Sequence, residues 1–359
     1  MSDKEKDKSK QILDTSAKDS IVSKVSEKNI PPLRRKSTLG IIVVIVIFIL
    51  LVIISFPFLM PLPMERSLSS PQEVASTLEK RGEFLTIDGY ITYVIDLNPE
   101  SEKVLVFISE FELSAEIWRP HMEVFAESGY RTIAIDLKGS GFSQRDWAFD
   151  HSYKGQATLV SEVLKEKQVN SAAFIAHGTS TPVILEYSHQ YGELAAGYVF
   201  LSGDESFSSH TSTKSAIKGT NMYTYRIKRQ YLQRAYTSDN VRERLKNAVY
   251  KDEIVTDELV TRSMLSQKVR DWDIGTLAIA RDTSSSVVST EPLATSETPT
   301  IIIWGKEDYI IPVERGIAFA EKVPQSEIYV IPDVGHLPME EASGLSRAII
   351  EEFLSKLTF

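Results

Sequence analysis

Six short apolar runs set the frame of this chain: KVLVFI (Lys103 to Ile108), RTIAID (Arg131 to Asp136), SAAFIA (Ser171 to Ala176), AGYVFL (Ala196 to Leu201), TIIIWG (Thr300 to Gly305) and EIYVIP (Glu327 to Pro332). Each is of strand length and almost continuously apolar, and such a strand needs cover on both faces. Most are separated by stretches with the apolar spacing of a helix, among them Ile117 to Glu127 and Ala157 to Glu166. This alternation predicts an α/β architecture, a mostly parallel sheet with helices on both faces. Ahead of the first run, EFLTIDGYITYVID (Glu83 to Asp96) reads as two alternating segments about Asp88-Gly89, a hairpin signal.

Between Leu201 and Thr300 the rhythm stops. That interval carries no convincing strand, and its texture is helical, as in Met222 to Tyr236 and Asp257 to Lys268. It is expected to be a helical lid, residues 204–298, inserted at the C-terminal edge of the sheet between core segments 83–203 and 299–359. Open α/β sheets place their ligands at that edge. Within the lid, YTYRIKRQYLQRAY (Tyr223 to Tyr236) is basic, the mark of a solvated face or of contact with anionic lipid or an acidic ligand.

Near the N-terminus, eighteen residues from Ile41 to Phe58 are interrupted only by Ser55 and Pro57. Roughly 20 such residues cross a hydrocarbon core of about 30 Å, so residues 39–60 are expected to form a single transmembrane helix. A cleaved signal peptide fits less well, because the run starts late and lacks a small-x-small site. Lys24, Lys28, Arg34, Arg35 and Lys36 precede it, against Arg66, Lys80 and Arg81 after it, which favours a cytoplasmic N-terminus and an extracytoplasmic main domain at the cell membrane. Residues 1–38 read as a disordered tail and residues 61–82 as a tether. The first 38 residues carry +4 of a total of −9, leaving −13 for the remainder, and this excludes nucleic acid as a natural partner of the folded part.

Cysteine is absent, so disulfides and thiolate chemistry are excluded. No metal site is expected: the six histidines are scattered without H-x-x-x-H spacing. No cofactor is expected either, because no glycine-rich phosphate loop follows a strand.

Four further segments fall in a telling order. DLKGSGFSQR (Asp136 to Arg145) has the form D-x-x-G-x-G-x-S; AHGTST (Ala176 to Thr181) follows a strand and opens a helix; WGKEDYIIP (Trp304 to Pro312) and IPDVGHLPMEE (Ile331 to Glu341) carry Asp308 and His336. With these the chain resembles the α/β-hydrolase superfamily from about Glu83 to Leu357, particularly its lidded branch of small-molecule ester, epoxide and carbon–carbon bond hydrolases. The resemblance implies acyl-transfer chemistry, with His336 in the place of the base and Asp308 in that of the acid that holds its tautomer.

At the nucleophile the pattern breaks. In the ungapped register Ala176 and Ser180 are the small flanking residues, His177 precedes the apex, and Gly178, which has no attacking atom, occupies the nucleophile position. A register shifted by two makes Ser180 the nucleophile of a G-x-S-x-P variant, but it puts Pro182 at a flanking position where the first helical turn suits it better. A second departure follows the third strand of the fold, where the family has His-Gly and this chain has Ser109-Glu110. A carboxylate near an oxyanion site opposes the developing charge, unless Glu110 turns to solvent. Ser109, Glu110, Phe111, His177 and Thr179 are the expected ligand-contacting residues.

Two readings follow. One is a membrane-anchored pseudoenzyme that binds a small apolar ligand or a protein partner. The other is a working hydrolase of ester-like or epoxide-like substrates in which Asp308–His336 activates a water, or Ser180 attacks. Fold alone does not decide between them.

Overall fold

The structure, a computed structural model, describes residues 35–59, 68–205, 224–283, 286 and 288–359. The expected tail before residue 35, residue 60 of the expected transmembrane helix, residues 61–67 of the expected tether and residues 206–223, 284, 285 and 287 of the expected lid lie outside the described residues. The chain divides into two units, Met1–Met60 and Pro61–Phe359.

In the first unit a helix runs Arg35–Leu59, 25 residues. Its large apolar side chains from Leu39 to Ile54 are 44% to 66% exposed, on every face. The side chains described on it span Leu39 to Ser55. Among the described residues, no helix is long and apolar enough to cross a membrane.

The second unit is built on one eight-stranded sheet: β1 (Glu83–Ile87), β2 (Tyr90–Leu97), β3 (Val104–Ile108), β4 (Arg131–Ile135), β5 (Ala172–His177), β6 (Ala195–Leu201), β7 (Thr300–Gly305) and β8 (Ser326–Ile331), in the order β1-β2-β4-β3-β5-β6-β7-β8. The β1–β2 hairpin and the β2–β4 pair are antiparallel and every other pair is parallel. All six apolar runs are strands, within one or two residues of the limits read from sequence.

Their continuous hydrophobicity has a simple origin. Leu105 and Phe107 of β3, Ala173 and Ile175 of β5, and Ile301 and Ile303 of β7 point into one apolar cluster. The alternate residues, Val106 and Ile108, Phe174 and Ala176, and Ile302 and Trp304, point into the other. Side chains alternate with period two along a strand, so a strand buried on both faces must be apolar at nearly every position. Met122 and Phe125 of the helix Arg119–Glu127, with Ile350 and Phe353 of Ser343–Leu354, cover the first face. Val160 and Val163 of Tyr153–Glu166, Val183 and Tyr187 of Thr181–Tyr191, and Phe319 of Val313–Lys322 cover the second.

The lid interval contains the helices Tyr225–Ala235, Ser238–Ala248, Asp257–Ser263 and Trp272–Thr283. Leu232, Val241, Leu259 and Trp272 join the first apolar cluster, so lid and sheet share a core. Arg229 clamps two lid helices together: its guanidinium donates to both carboxylate oxygens of fully buried Asp273, at 2.7 and 3.0 Å. Part of the stretch read as a tether is folded onto this domain. Ser69 bridges Val269 of the lid, and Pro71–Ser76 is a capped helix whose Val74 and Ala75 are buried. The sequence hid this because the helix is short and its apolar side chains are few.

Candidate active site

The turn after β5 decides the site. Strand β5 ends at His177, Gly178 takes a φ of +52°, and the helix Thr181–Tyr191 begins with Pro182 in its first turn. A positive φ of this kind strains any residue with a Cβ, and glycine relieves it. Gly178 is therefore the apex, and the ungapped register is the one adopted. Ser180 is fully buried; its hydroxyl accepts from His177 N at 3.0 Å and lies 3.0 Å and 2.9 Å from the carbonyls of Ile108 and His177, to which it donates. The expectation of Ser180 as an alternative nucleophile is corrected by this placement. Its oxygen is spent tying the turn to the sheet.

Asp308 follows β7 and His336 follows β8, as the two motifs place them. Asp308 Oδ1 accepts from Ile310 N at 2.9 Å and Ile311 N at 2.8 Å, which frees Oδ2 to accept from His336 Nδ1 at 2.8 Å. His336 is anchored through its backbone as well: its N–H donates to Ala248 of the lid at 2.7 Å, and its carbonyl accepts from His177 Nε2 at 2.9 Å. Both members of the dyad are buried.

The position facing His336 Nε2, where a nucleophile would stand, is filled by Glu110. Its Oε1 lies 3.7 Å from His336 Nε2 and accepts from the backbone N–H of Thr179 at 3.2 Å. A Cβ built on Gly178 would fall 2.0 Å from that same oxygen. The carboxylate thus occupies the volume that a side chain at the apex would need. It also consumes the amide just after the nucleophile position, a usual donor to an oxyanion. The loop is pinned from the other side, where Phe111 N donates to Thr179 Oγ1 at 3.3 Å. Glu110 turns inward, and the solvent-facing alternative for it is corrected.

Electrostatics lock the arrangement. Burial would raise the Glu110 pKa, but the imidazoles of His177 and His336 and the Thr179 amide outweigh it and bring it down to about 2. Burial would lower that of His336, yet the carboxylates of Asp308 and Glu110 push it up to about 10. His177, by contrast, is lowered, chiefly by burial. At neutral pH the site holds an imidazolium between two carboxylates.

A cavity of about 330 Å³ opens above this group, within the range of small-molecule sites. Glu110, Thr179 and His336 line it, with Leu113, Ile117, Val241, Leu245, Leu259 and Met339 supplying apolar walls and Glu112, Tyr236, Arg244 and Gln267 supplying polar ones. Ser109, Phe111 and His177, expected to contact a ligand, do not reach it. Ser109 and Phe111 are packed below the loop, and His177 lies beneath Glu110. The sequence did not single out Glu112, Tyr236, Arg244 or Gln267. Glu112 lies two residues beyond Glu110, but only the folded lid brings the other three to it. Among the described residues, no group of acidic or histidine side chains is placed to hold a metal ion.

Comparison with known proteins agrees with the topology. The family model described as "alpha/beta hydrolase fold" matches residues 103–343. An uncharacterized hydrolase of Bacillus subtilis, YugF, is 27% identical over 271 residues, covering 75% of this chain and 96% of that protein. A 2-hydroxy-6-oxononadienedioate/2-hydroxy-6-oxononatrienedioate hydrolase of Pseudomonas is 23% identical over 243 residues, covering 66% and 81%. Among solved structures, a thermophilic esterase from Thermogutta terrifontis superposes with a TM-score of 0.63 at 20% identity, over 77% of this chain and 99% of that one. Motif order, sheet order and family match coincide: the chain belongs to the α/β-hydrolase fold family.

Proposed function

We propose that this protein is a membrane-tethered α/β-hydrolase-fold protein that binds a small apolar ligand and does not run serine acyl transfer. One observation carries the reading: the Glu110 carboxylate stands in the space above Gly178, bonded to the Thr179 amide and paired with His336. Loss of the serine from a triad costs on the order of 10⁶ in turnover. The residual 10³ to 10⁴ over water comes from the oxyanion hole and binding, and here a carboxylate sits on the Thr179 amide. A base must also be neutral to take a proton. The carboxylates of Asp308 and Glu110 push the His336 pKa up, which keeps its imidazole protonated at neutral pH.

The intact Asp308–His336 bond favours a second reading, a hydrolase that activates water, and relatives named as hydrolases are consistent with it. Glu110 fills the space in which that water would lodge. The tethering part of the proposal rests on the sequence alone, on the apolar run Ile41 to Phe58. The basic residues ahead of that run favour a cytoplasmic N-terminus.

The test is to treat the wild-type full chain with a serine-directed fluorophosphonate and a panel of acyl and epoxide substrates. Neither covalent labelling nor turnover is expected. Turnover lost on His336→Ala, or labelling lost on Ser180→Ala, refutes the proposal.

A further inference from the structure

The floor of the cavity is an under-satisfied acceptor. An ionised carboxylate offers about four acceptor positions. Glu110 receives one hydrogen bond of ordinary length, from Thr179 N at 3.2 Å. His336 Nε2 is 3.7 Å from Oε1, and His177 Nδ1 is 3.9 Å from Oε2, both beyond hydrogen-bond distance. His177 Nε2 donates to the His336 carbonyl, and its Nδ1, 3.9 Å away, forms no hydrogen bond to Oε2. The Glu110 side chain keeps 22% of its surface exposed and lines the cavity, so its free lone pairs are open to an occupant.

The polar wall repeats the pattern. Gln267 Nε2 donates to the Glu112 carbonyl at 2.8 Å, which identifies the remaining amide atom as oxygen, and that buried Oε1 has no partner. The Glu112 carboxylate accepts from Tyr236 Oη and lies 3.9 Å from Arg244, whose guanidinium sits 3.9 Å from the centre of the Tyr236 ring. Apart from Tyr236 the apolar lining is aliphatic. A volume of about 330 Å³ equals roughly eleven waters at ~30 Å³ each, room for an unbranched chain of about ten heavy atoms.

Resting on the binding reading above, we propose that the cavity takes an unbranched aliphatic amphiphile whose head donates hydrogen bonds, a hydroxyl or a primary ammonium, seated on the Glu110 carboxylate. The matching carboxylic acid is rejected. Its head would face Glu110 and Glu112, the Thr179 amide that would receive it is taken, and Arg244, the guanidinium of the wall, is already engaged by Glu112 and the face of Tyr236. The selectivity is the reverse of what an oxyanion-binding site shows.

The experiment measures saturable binding of decan-1-ol, decylamine and decanoic acid to the full chain in lipid nanodiscs, by calorimetry. Wild type, Glu110→Gln and Leu259→Trp are compared, so that partition into lipid cancels. Wild type is expected to bind at least one donor-headed probe ten-fold or more tightly than decanoate. Glu110→Gln is expected to lose ten-fold or more for that probe, while Leu259→Trp, which fills the cavity, loses all binding without loss of the folded signal. Binding of the alcohol alone assigns a neutral head, and binding of the amine alone a cationic one; both support the proposal. Decanoate binding as tight as either, an unchanged affinity in Glu110→Gln, or no saturable donor-headed binding overturns it. Decanoate binding would leave the binding reading standing, whereas wild-type turnover of a decanoyl ester abolished by His336→Ala would remove that reading itself.

Discussion

The tightest consequence of the geometry is that Gly178 and Glu110 form one unit. A serine at 178 would put its Cβ 2.0 Å from Glu110 Oε1, 2.8 Å from Cδ and 3.2 Å from Cγ. Real Cβ contacts essentially never fall below 3.0 Å, so the carboxylate must retreat by 1.0 Å or more. In retreating it loses the Thr179 bond, a hydrogen bond to a charged group worth about 1.5–3 kcal/mol. The left-handed φ at 178 adds about 1–2 kcal/mol for any residue with a Cβ. Gly178→Ser alone should therefore cost about 2.5–5 kcal/mol, whereas in a Glu110→Ala background only the backbone strain of about 1–2 kcal/mol remains. The coupling of about 1.5–3 kcal/mol is read from a double-mutant cycle of thermal or urea unfolding. For a unit the size of Pro61–Phe359 it amounts to about 2–5 °C in Tm. Fluorophosphonate labelling in parallel should be strong only in the double variant, the one form with a hydroxyl at the apex and an unobstructed path to His336. Additive costs, together with full labelling of Gly178→Ser alone, would refute the placement of Glu110.

Three further outcomes are expected. His336 should titrate near pH 10 by NMR and fall when Glu110 becomes glutamine; because its folded pKa is raised, its contribution to stability is complete below about pH 6.5 and is lost as pH rises to about 10. A wild-type midpoint near 6.5 contradicts this. Ser180→Ala should destabilise by about 1–3 kcal/mol in urea, since it leaves the buried His177 N–H unpaired, yet leave ligand binding unchanged; loss of binding without loss of stability would reopen a chemical role. Arg229→Met strands the fully buried Asp273 carboxylate and should cost about 3–5 kcal/mol, seen as faster hydrogen exchange across Trp272–Thr283; unchanged exchange there argues against the clamp.

The strand pattern and the motif order were legible because both are local. A strand buried on two faces must be apolar at nearly every position, and the turns that carry Gly178 and Asp308 each follow such a strand, while His336 follows the edge strand β8, whose apolar residues are partly exposed. The direction of Glu110 was not legible. Whether its side chain turns in or out depends on what Gly178 leaves vacant and on two imidazoles that arrive from β5 and from the loop after β8, 67 and 226 residues later in the chain. The cavity wall was hidden for the same reason. Tyr236 looked like the end of a basic helix, and Gln267 carried no signal at all. Ser180 misled because a serine two residues past a glycine satisfies a motif while its hydroxyl turns toward the sheet. The folded helix Pro71–Ser76 was missed because two buried side chains, Val74 and Ala75, leave no periodicity to detect.

Read from sequence, the retained Asp308 and His336 argue for catalysis, because a protein with no chemistry to do has less reason to keep them. The structure supplies a different reason. His336 is the cation that pairs with Asp308 and Glu110 beneath the lid, its backbone N–H donates to the carbonyl of Ala248 at the end of a lid helix, and its carbonyl accepts from His177 Nε2. Removing one member of a buried ion pair costs about 3–5 kcal/mol, because the charge left behind is uncompensated. Once Glu110 had entered the space above Gly178, losing His336 would strand two carboxylates rather than one. The Asp308–His336 pair therefore has a structural role in balancing charge under the lid, whatever chemistry it carries.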